Sequence, residues 1–317
     1  MSELHRFVFD GAPVRGMLVR LGDGWREMLQ RRGDAPYPLP VQSLLGEMTA
    51  AGVLMQANIK FSGALILQVF GDGPVKLAVA EVQPDLHFRA TATVIGEVSA
   101  DATLQALLNQ HGQGRCAITL DPQNKLPGQQ PYQGVVPLHG DRREPLQQLS
   151  QVLEHYMLQS EQLDTRMLLA ANGQVAAGLL IQRLPVAGPA RVSGERNEDQ
   201  IGLNEDFNRI AHLAATLTRD ELLALDADTL LHRLFWEEQL QRFEPQVPRF
   251  SCSCSRERVG GMLRGLGADE VHGIVAERGD VEVGCEFCGQ KYRFDAVDVG
   301  EMFTPKRDQP GTPHSLQ

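Results

Sequence analysis

The chain has 317 residues, more than one hydrophobic core usually holds, so its length predicts two domains or one domain with appended segments. Hydrophobic residues make up 42% and charged residues 22%, a composition that excludes disorder, collagen and a small disulfide scaffold. The net charge of −10 repels phosphate backbones and argues against broad nucleic-acid binding.

The N-terminal residues contain no basic segment that leads into a long apolar run, and no later stretch reaches the roughly 20 apolar residues that a bilayer requires. The five cysteines, in a long chain without a secretion signal, indicate reduced thiols used for metal or redox chemistry. We therefore predict a soluble, cytoplasmic protein with no membrane partner.

Residues 1–184 alternate strand-like and helix-like segments, which predicts an α+β core domain with a largely antiparallel sheet. The turn residues Gly71 to Pro74 separate two apolar runs, and Asn172-Gly173 separates two more, so a hairpin is expected at each place. A phosphate-binding role is the alternative for the first of these turns. A helix that begins near Pro40 has apolar residues at helical spacing and is expected to pack on the sheet.

The composition changes after Pro185, and residues 188–206 are mostly polar, charged or small. We assign residues 185–248 to a linker that carries short amphipathic helices. Such helices are marginal alone in water, because nucleation is costly and their stability comes from docking an apolar face. The linker is therefore either a conformational switch or a permanently docked helical subdomain.

Three helices are predicted within this linker. Residues 207–217 place apolar side chains in a helical stripe. Thr218 and Glu221 form a capping box that begins the second helix, and Asp226 or Asp228 caps the third.

Four of the five cysteines lie close together near the C-terminus, as Cys252, Cys254, Cys285 and Cys288. Thiolates on two short spacers can surround one Zn²⁺ tetrahedrally at about 2.3 Å, and because they fill all four positions the site is structural. Close thiols in such a site can also be oxidised pairwise, Cys252 with Cys254 and Cys285 with Cys288, which ejects the metal.

Other residues that could take part in metal or redox chemistry also have a structural interpretation. His272 is an alternative ligand, although its place on a short predicted helix favours an exposed or packed side chain. Cys116 lies in an apolar strand-like run and is assigned to the core. Four arginines either favour thiolates and reactivity towards peroxide or form a solvated helix face, namely Arg249, Arg256, Arg258 and Arg264.

Residues 249–303 are assigned to a zinc-binding domain, with a two-stranded knuckle at 281–283 and 290–294 and a helix at 296–303. Structural zinc contributes about 10 to 16 kcal/mol in small peptides. The free energy of unfolding of a whole domain is roughly 5 to 15 kcal/mol. Losing the ion is therefore expected to unfold the zinc-binding domain. The tail, residues 304–317, is predicted to be disordered.

The sequence resembles a known family, the redox-regulated holdases called heat shock protein thirty-three. The resemblance rests on five motifs spread over most of residues 4–300. These motifs are Cys252-Ser-Cys-Ser-Arg-Glu-Arg258, Cys285-Glu-Phe-Cys-Gly289, Gly71-Asp-Gly-Pro74, Tyr132-Gln-Gly-Val-Val136 and Ser160-Glu-Gln-Leu-Asp-Thr165.

The resemblance implies an N-terminal core domain, a linker folded over it and a C-terminal zinc redox-switch domain. It implies an ATP-independent chaperone that is inactive when reduced and zinc-bound. Oxidation to two disulfides with zinc release would free the linker and expose apolar surface to unfolding client proteins, with a homodimer as the active form. One departure from the family is the pair Gly260-Gly261 just after the first cysteine motif, where a helix is expected; the pair is expected to loosen the switch or to raise its thermal sensitivity.

Two other functions remain open from the residues themselves. A thiol oxidoreductase would use Cys285 and Cys288, but the early βαβ context of such enzymes is missing. A zinc-ribbon module that binds nucleic acid is supported only by the arginines near Cys252. The sequence contains neither a P-loop nor an evident Ser, His and Asp set, so we predict that the protein is not an enzyme.

Overall fold

The computed structural model describes residues 1–33, 35–125, 128–185 and 201–304, with the backbone alone described for residues 201–204. Most of the predicted loop at 188–206 and nearly all of the predicted tail lie outside the described residues. The chain divides into two compact units, Met1–Ser251 and a second unit that begins at Cys252. The finer division into a core domain, a linker and a zinc-binding domain stays a prediction.

The first unit contains most of the strands and helices. Its strands are β1 Glu3–Phe9, β2 Val14–Leu21, β3 Gly63–Phe70, β4 Val75–Val82, β5 His87–Val94, β6 Arg115–Pro122, β7 Tyr132–Pro137, β8 Thr165–Ala171, β9 Ala176–Arg183, β10 Leu240–Arg242 and β11 Arg249–Phe250. Its helices are α1 Asp23–Gln30, α2 Leu39–Asn58, α3 Leu104–Leu108, α4 Leu149–Ser160, α5 Ile201–Ala215, α6 Arg219–Ala224 and α7 Ala227–Phe235.

The strands of this unit form two sheets, ordered β10-β1-β2-β9-β8 and β11-β5-β4-β3-β6-β7. The pairings are antiparallel except for that of β11 with β5. Both predicted hairpins are present, β3 with β4 and β8 with β9. The predicted α+β class with largely antiparallel pairing is therefore confirmed, and the strands are divided between two sheets.

The helix α2 lies between the two sheets, and this placement follows from its sequence. From Met48 to Gln56 every residue of the helix is buried, as expected of a segment whose side chains are largely apolar on all faces. It contacts β2, β8 and β9 of one sheet and β3, β4 and β5 of the other. A Cβ at Gly46 would lie 2.3 Å from Cβ of Ala171, and one at Gly52 would lie 2.9 Å from Cγ2 of Val82, so both glycines permit close packing.

The other face of the β10-β1-β2-β9-β8 sheet is covered by α5, α6 and α7. Apolar side chains of these helices and of the sheet form one buried cluster, which we call the linker core. At its centre, Phe235 packs against Phe7 and Phe9 with ring centroids 6.2 and 5.0 Å apart. The capping box of Thr218 and Glu221 begins α6 as predicted, and Asp226 is the residue that caps α7.

Two arginines attach α6 to the rest of the first unit. Arg20 of β2 donates hydrogen bonds to three carbonyl groups at the C-terminal end of α6, at distances of 2.6 to 3.3 Å. At the other end, Arg219 donates to the carbonyl of Ala171 and to the hydroxyl of Ser43, and it pairs with Glu47 at 3.3 Å. The ends of α6 are therefore held by charged side chains and its middle by apolar contacts.

The second unit is small and has a small core. Its elements are α8 Arg256–Leu266, α9 Ala268–Arg278, β12 Asp280–Gly284, β13 Lys291–Asp295 and α10 Ala296–Phe303. The antiparallel pair β12 and β13 is the predicted knuckle, and Asp295 caps α10 through a capping box. The helix α8 runs unbroken through Gly260-Gly261. Among the described residues of both units, no helix is long and apolar enough to cross a bilayer.

Candidate metal centre

The four clustered cysteines come from two places in the second unit. Cys252 and Cys254 lie just before α8, whose first turn is capped by the Ser255 hydroxyl. Cys285 and Cys288 lie in the turn between β12 and β13. All four Sγ atoms lie within 4.8 Å of one another, with 3.6 Å between Cys252 and Cys285 and 3.4 Å between Cys254 and Cys288.

These separations fit a tetrahedral metal site. Four sulfurs about 2.3 Å from a Zn²⁺ ion lie about 3.8 Å from one another, close to the separations of 3.6 and 3.4 Å. Four thiolates are also the donor set that zinc prefers in structural sites. The cluster can therefore hold a metal ion with all four positions filled by protein.

The second cysteine pair is positioned by a tight turn. The amide of Gly289 donates to the carbonyl of Cys285 at 2.8 Å, and the amide of Cys285 donates to the carbonyl of Gln290 at 2.9 Å. Gly289 adopts a φ of 71°, a left-handed conformation that other residues rarely adopt. The turn therefore depends on glycine at this position to point both sulfurs to the same side.

The thiol groups of the cluster differ in their acidity. Burial raises the pKa of Cys252 and of Cys288. Burial acts in the same direction on Cys254, but hydrogen bonds from Tyr292 and the neighbouring cysteines outweigh it and lower its pKa to about 7. The same hydrogen bond to Cys254 is the largest cause that raises the pKa of Tyr292. Of these three sulfurs, Cys254 therefore has the strongest thiolate character.

Tyr292 is the neighbour of the cluster that the sequence did not reveal. Its hydroxyl donates a hydrogen bond to Sγ of Cys254 at 3.1 Å. The signal that could have found it is the alternation along β13, in which Tyr292 shares the inward face with the buried Phe294.

Two of the four arginines near the cluster make structural contacts. The guanidinium of Arg256 stacks on Phe294 at 4.3 Å from the ring centroid, pairs with Asp298 at 2.7 Å and donates to the carbonyl of Arg293. Arg258 donates to the carbonyl of Ser253 at 2.7 Å. Arg264 belongs to the exposed surface of α8, and Arg249 lies in β11 of the first unit.

The two other candidates for metal or redox chemistry lie outside the cluster. His272 is exposed on α9, and its ring lies 6.0 Å from that of Phe303. Cys116 is completely buried in the core of the first unit, where burial raises the pKa of its thiol to about 12. Its assignment to the core is confirmed.

An α+β fold with largely antiparallel sheets and a C-terminal cluster of four cysteines defines a two-unit protein with a tetracysteine module that could hold a metal ion. The family model described as Hsp33 protein matches residues 2–295 of the chain. The chain therefore belongs to the Hsp33 family.

Several relatives carry the name 33 kDa chaperonin. The relative from Chromobacterium violaceum is 46% identical over 302 residues, which cover 95% of this chain and 94% of the relative. The relative from Methylobacillus flagellatus is 41% identical over 311 residues, which cover 98% and 97% of the two chains. The family and these names support a chaperone function.

A solved structure is similar to this one over nearly its whole length. It is the crystal structure of the 33 kDa chaperonin, a heat shock protein 33 homolog, from Thermotoga maritima. Its TM-score is 0.72 over 95% of this chain and 97% of that chain, at 20% sequence identity. At this identity the likeness shows that the two proteins share a fold.

Proposed function

We propose that the protein is a redox-regulated, ATP-independent holdase of the cytoplasm, without enzymatic activity. In the reduced state one structural Zn²⁺ is bound by Cys252, Cys254, Cys285 and Cys288, and the protein is inactive. Oxidation of the cysteines to disulfides releases the zinc, and the protein then binds unfolding client proteins.

The observation that carries this proposal is the small hydrophobic core of the unit that contains the sulfur cluster. Among the described residues of the second unit, the buried apolar side chains that form its core are few, namely Leu263, Val271, Val275, Val281, Phe294 and Val299. A core of this size rarely stabilises a domain without a metal or disulfides. Zinc binding is worth about 10 to 16 kcal/mol in comparable small modules, so its loss would remove more stability than most domains possess.

The linker core supplies the apolar surface that a holdase needs. The helices α5 to α7 are too short to be stable alone, and their apolar faces are buried against the sheet. Their undocking would expose side chains such as Phe235, Leu234 and Ile210 together with the sheet residues beneath them. A large exposed apolar surface binds unfolded chains. In our proposal this exposure follows oxidation.

We propose that the disulfides join Cys252 with Cys254 and Cys285 with Cys288. Each disulfide forms when two thiolates lose two electrons to the oxidant, so two equivalents of peroxide are consumed and reduced to water for each chain. The Sγ contacts of 3.6 and 3.4 Å join cysteines of different pairs, and all four Sγ atoms lie within 4.8 Å of one another, so proximity in sequence is the reason for this choice. Peptide mapping of the oxidised protein under non-reducing conditions tests it.

Light scattering of a heat-denaturing client tests the proposed activity. Zinc-loaded reduced protein and peroxide-treated protein are compared at equal concentration without ATP. We expect only the oxidised protein to suppress aggregation, and we expect sedimentation to show that it is a homodimer. Equal suppression by the reduced and oxidised forms would refute redox regulation. No suppression by either form would refute the chaperone activity.

A further inference from the structure

Tyr292 is placed beside the metal centre by the same hairpin that carries the second cysteine pair. It lies opposite Val283 in the β12–β13 ladder, and its ring shares the inward face of β13 with Phe294. From there its hydroxyl reaches Cys254, which comes from a separate segment of the chain, and donates a hydrogen bond to Sγ at 3.1 Å. The hydrogen bond therefore joins the two halves of the metal centre.

We propose that Tyr292 is a positioning residue that slows the oxidation of Cys254 and so sets the oxidant threshold of the switch; this inference rests on the proposed function. A hydrogen bond to a thiolate draws electron density from the sulfur and occupies one of its lone pairs. A sulfur whose lone pair is occupied attacks an oxidant more slowly, because attack needs that lone pair.

The step that Tyr292 restrains is the first attack on peroxide. The thiolate of Cys254 attacks one peroxide oxygen, so an S–O bond forms, the O–O bond breaks, and the departing hydroxide takes a proton to become water. A second thiolate, Cys252 in our proposed pairing, then attacks the oxidised sulfur. The S–S bond forms, and the S–O oxygen leaves as hydroxide and is protonated to water. Two electrons pass from two thiolates to one peroxide.

The variant Tyr292→Phe removes the hydroxyl and keeps the ring that packs on the inward face of the knuckle. A hydrogen bond to a thiolate stabilises the sulfur before it reacts, and only part of this stabilisation is lost when the sulfur attacks the oxidant. That part is set by how strongly the rate of attack depends on the basicity of the thiolate. We therefore expect peroxide to release zinc about three- to tenfold faster from this variant than from the wild type. Without oxidant, the rate of zinc loss should not change.

The experiment follows zinc release with a chromophoric chelator after hydrogen peroxide is added to the reduced, zinc-loaded full-length protein. The matched control is Val281→Ala, which creates a cavity in the same small core but does not alter a contact to sulfur. A second readout is the sulfur-to-metal charge-transfer band of Co²⁺-substituted protein. This band should move to lower energy in Tyr292→Phe and stay in place in Val281→Ala, because only the first change alters the electrons of a ligand sulfur.

Three results would overturn the inference. The first is an unchanged or slower peroxide-driven release from Tyr292→Phe. The second is equal acceleration by Val281→Ala together with an unmoved Co²⁺ band, which would mean that the side chain only stabilises the fold. The third is failure of Tyr292→Phe to retain metal without oxidant. None of these measurements uses a client protein, so the inference can fail while the proposed holdase activity stands, and the reverse is also possible.

Discussion

Replacing Phe235 with alanine tests whether the docked linker helices keep the protein inactive. Phe235 is 2% exposed and makes an edge-to-face contact with Phe9 at 5.0 Å. Removing a buried phenylalanine side chain costs about 3 to 5 kcal/mol, of which the aromatic pair accounts for about 0.5 to 1.5 kcal/mol. Because α5 to α7 have little stability of their own, this loss falls on their docking to the sheet.

We expect reduced, zinc-loaded Phe235→Ala to suppress client aggregation without oxidant, and we expect hydrogen exchange across residues 205–235 to become faster. Two controls separate undocking from general damage. Trp236→Ala removes the neighbouring aromatic side chain, which is 68% exposed, and should have no effect. Leu65→Ala damages the core around α2, away from the linker core, and should lower stability without producing chaperone activity. A reduced Phe235→Ala protein with faster exchange at residues 205–235 but no holdase activity would refute the reasoning.

Three further predictions concern the metal centre and the attachment of α6. Cys288→Ser removes one of the four ligands, so we expect it to bind less than one zinc per chain by metal analysis and to lose the circular dichroism of the second unit; full zinc occupancy would contradict this. Arg20→Gln removes charged hydrogen bonds to the end of α6, each worth about 1.5 to 3 kcal/mol, so exchange in α6 should quicken while that in β3 and β4 stays slow. Hydrogen bonds from Thr218, first that of its backbone amide, lower the pKa of Glu221 from its ordinary value of 4.5. The stabilisation that Glu221 contributes is therefore present above pH 4.5 and is lost as the pH falls through the lowered pKa. The difference in urea midpoint between wild type and Glu221→Gln should accordingly shrink below pH 4.5. A difference that grows on acidification would contradict this sign.

The sequence predicted those elements whose signals are local. The capping box at Thr218 was found because a helix start depends on residues three positions apart, and the helix at 296–303 was also predicted. The strand β5 was missed, because Arg89 and two threonines interrupt its apolar run. The division into two sheets also was not predicted, since it depends on α2 being covered on both sides by strands distant in the chain.

The cysteines of the metal centre were predicted from the sequence, but the contacts around them were not. Four cysteines on two short spacers are enough to indicate a shared ion, and the structure places their sulfurs in one cluster. The contact from Tyr292 could not be predicted, because it requires both the register of β12 with β13 and the position of a segment more than thirty residues earlier. The helix expected after the first cysteine motif is present, with Gly260-Gly261 inside α8 and Gly260 buried in the second unit. The expected effect of this pair on the switch and its thermal sensitivity stays a prediction.

Hydrogen exchange across residues 252–304 tests most directly whether the sulfur cluster holds the second unit together. The reduced, zinc-loaded protein is compared with the same protein after peroxide treatment, with zinc measured in both samples. We expect these residues to be protected before oxidation and to exchange almost completely once the zinc has left, while β3, β4 and α2 stay protected. Protection that persists at residues 252–304 after full zinc release would contradict the claim that the ion maintains the fold of this unit.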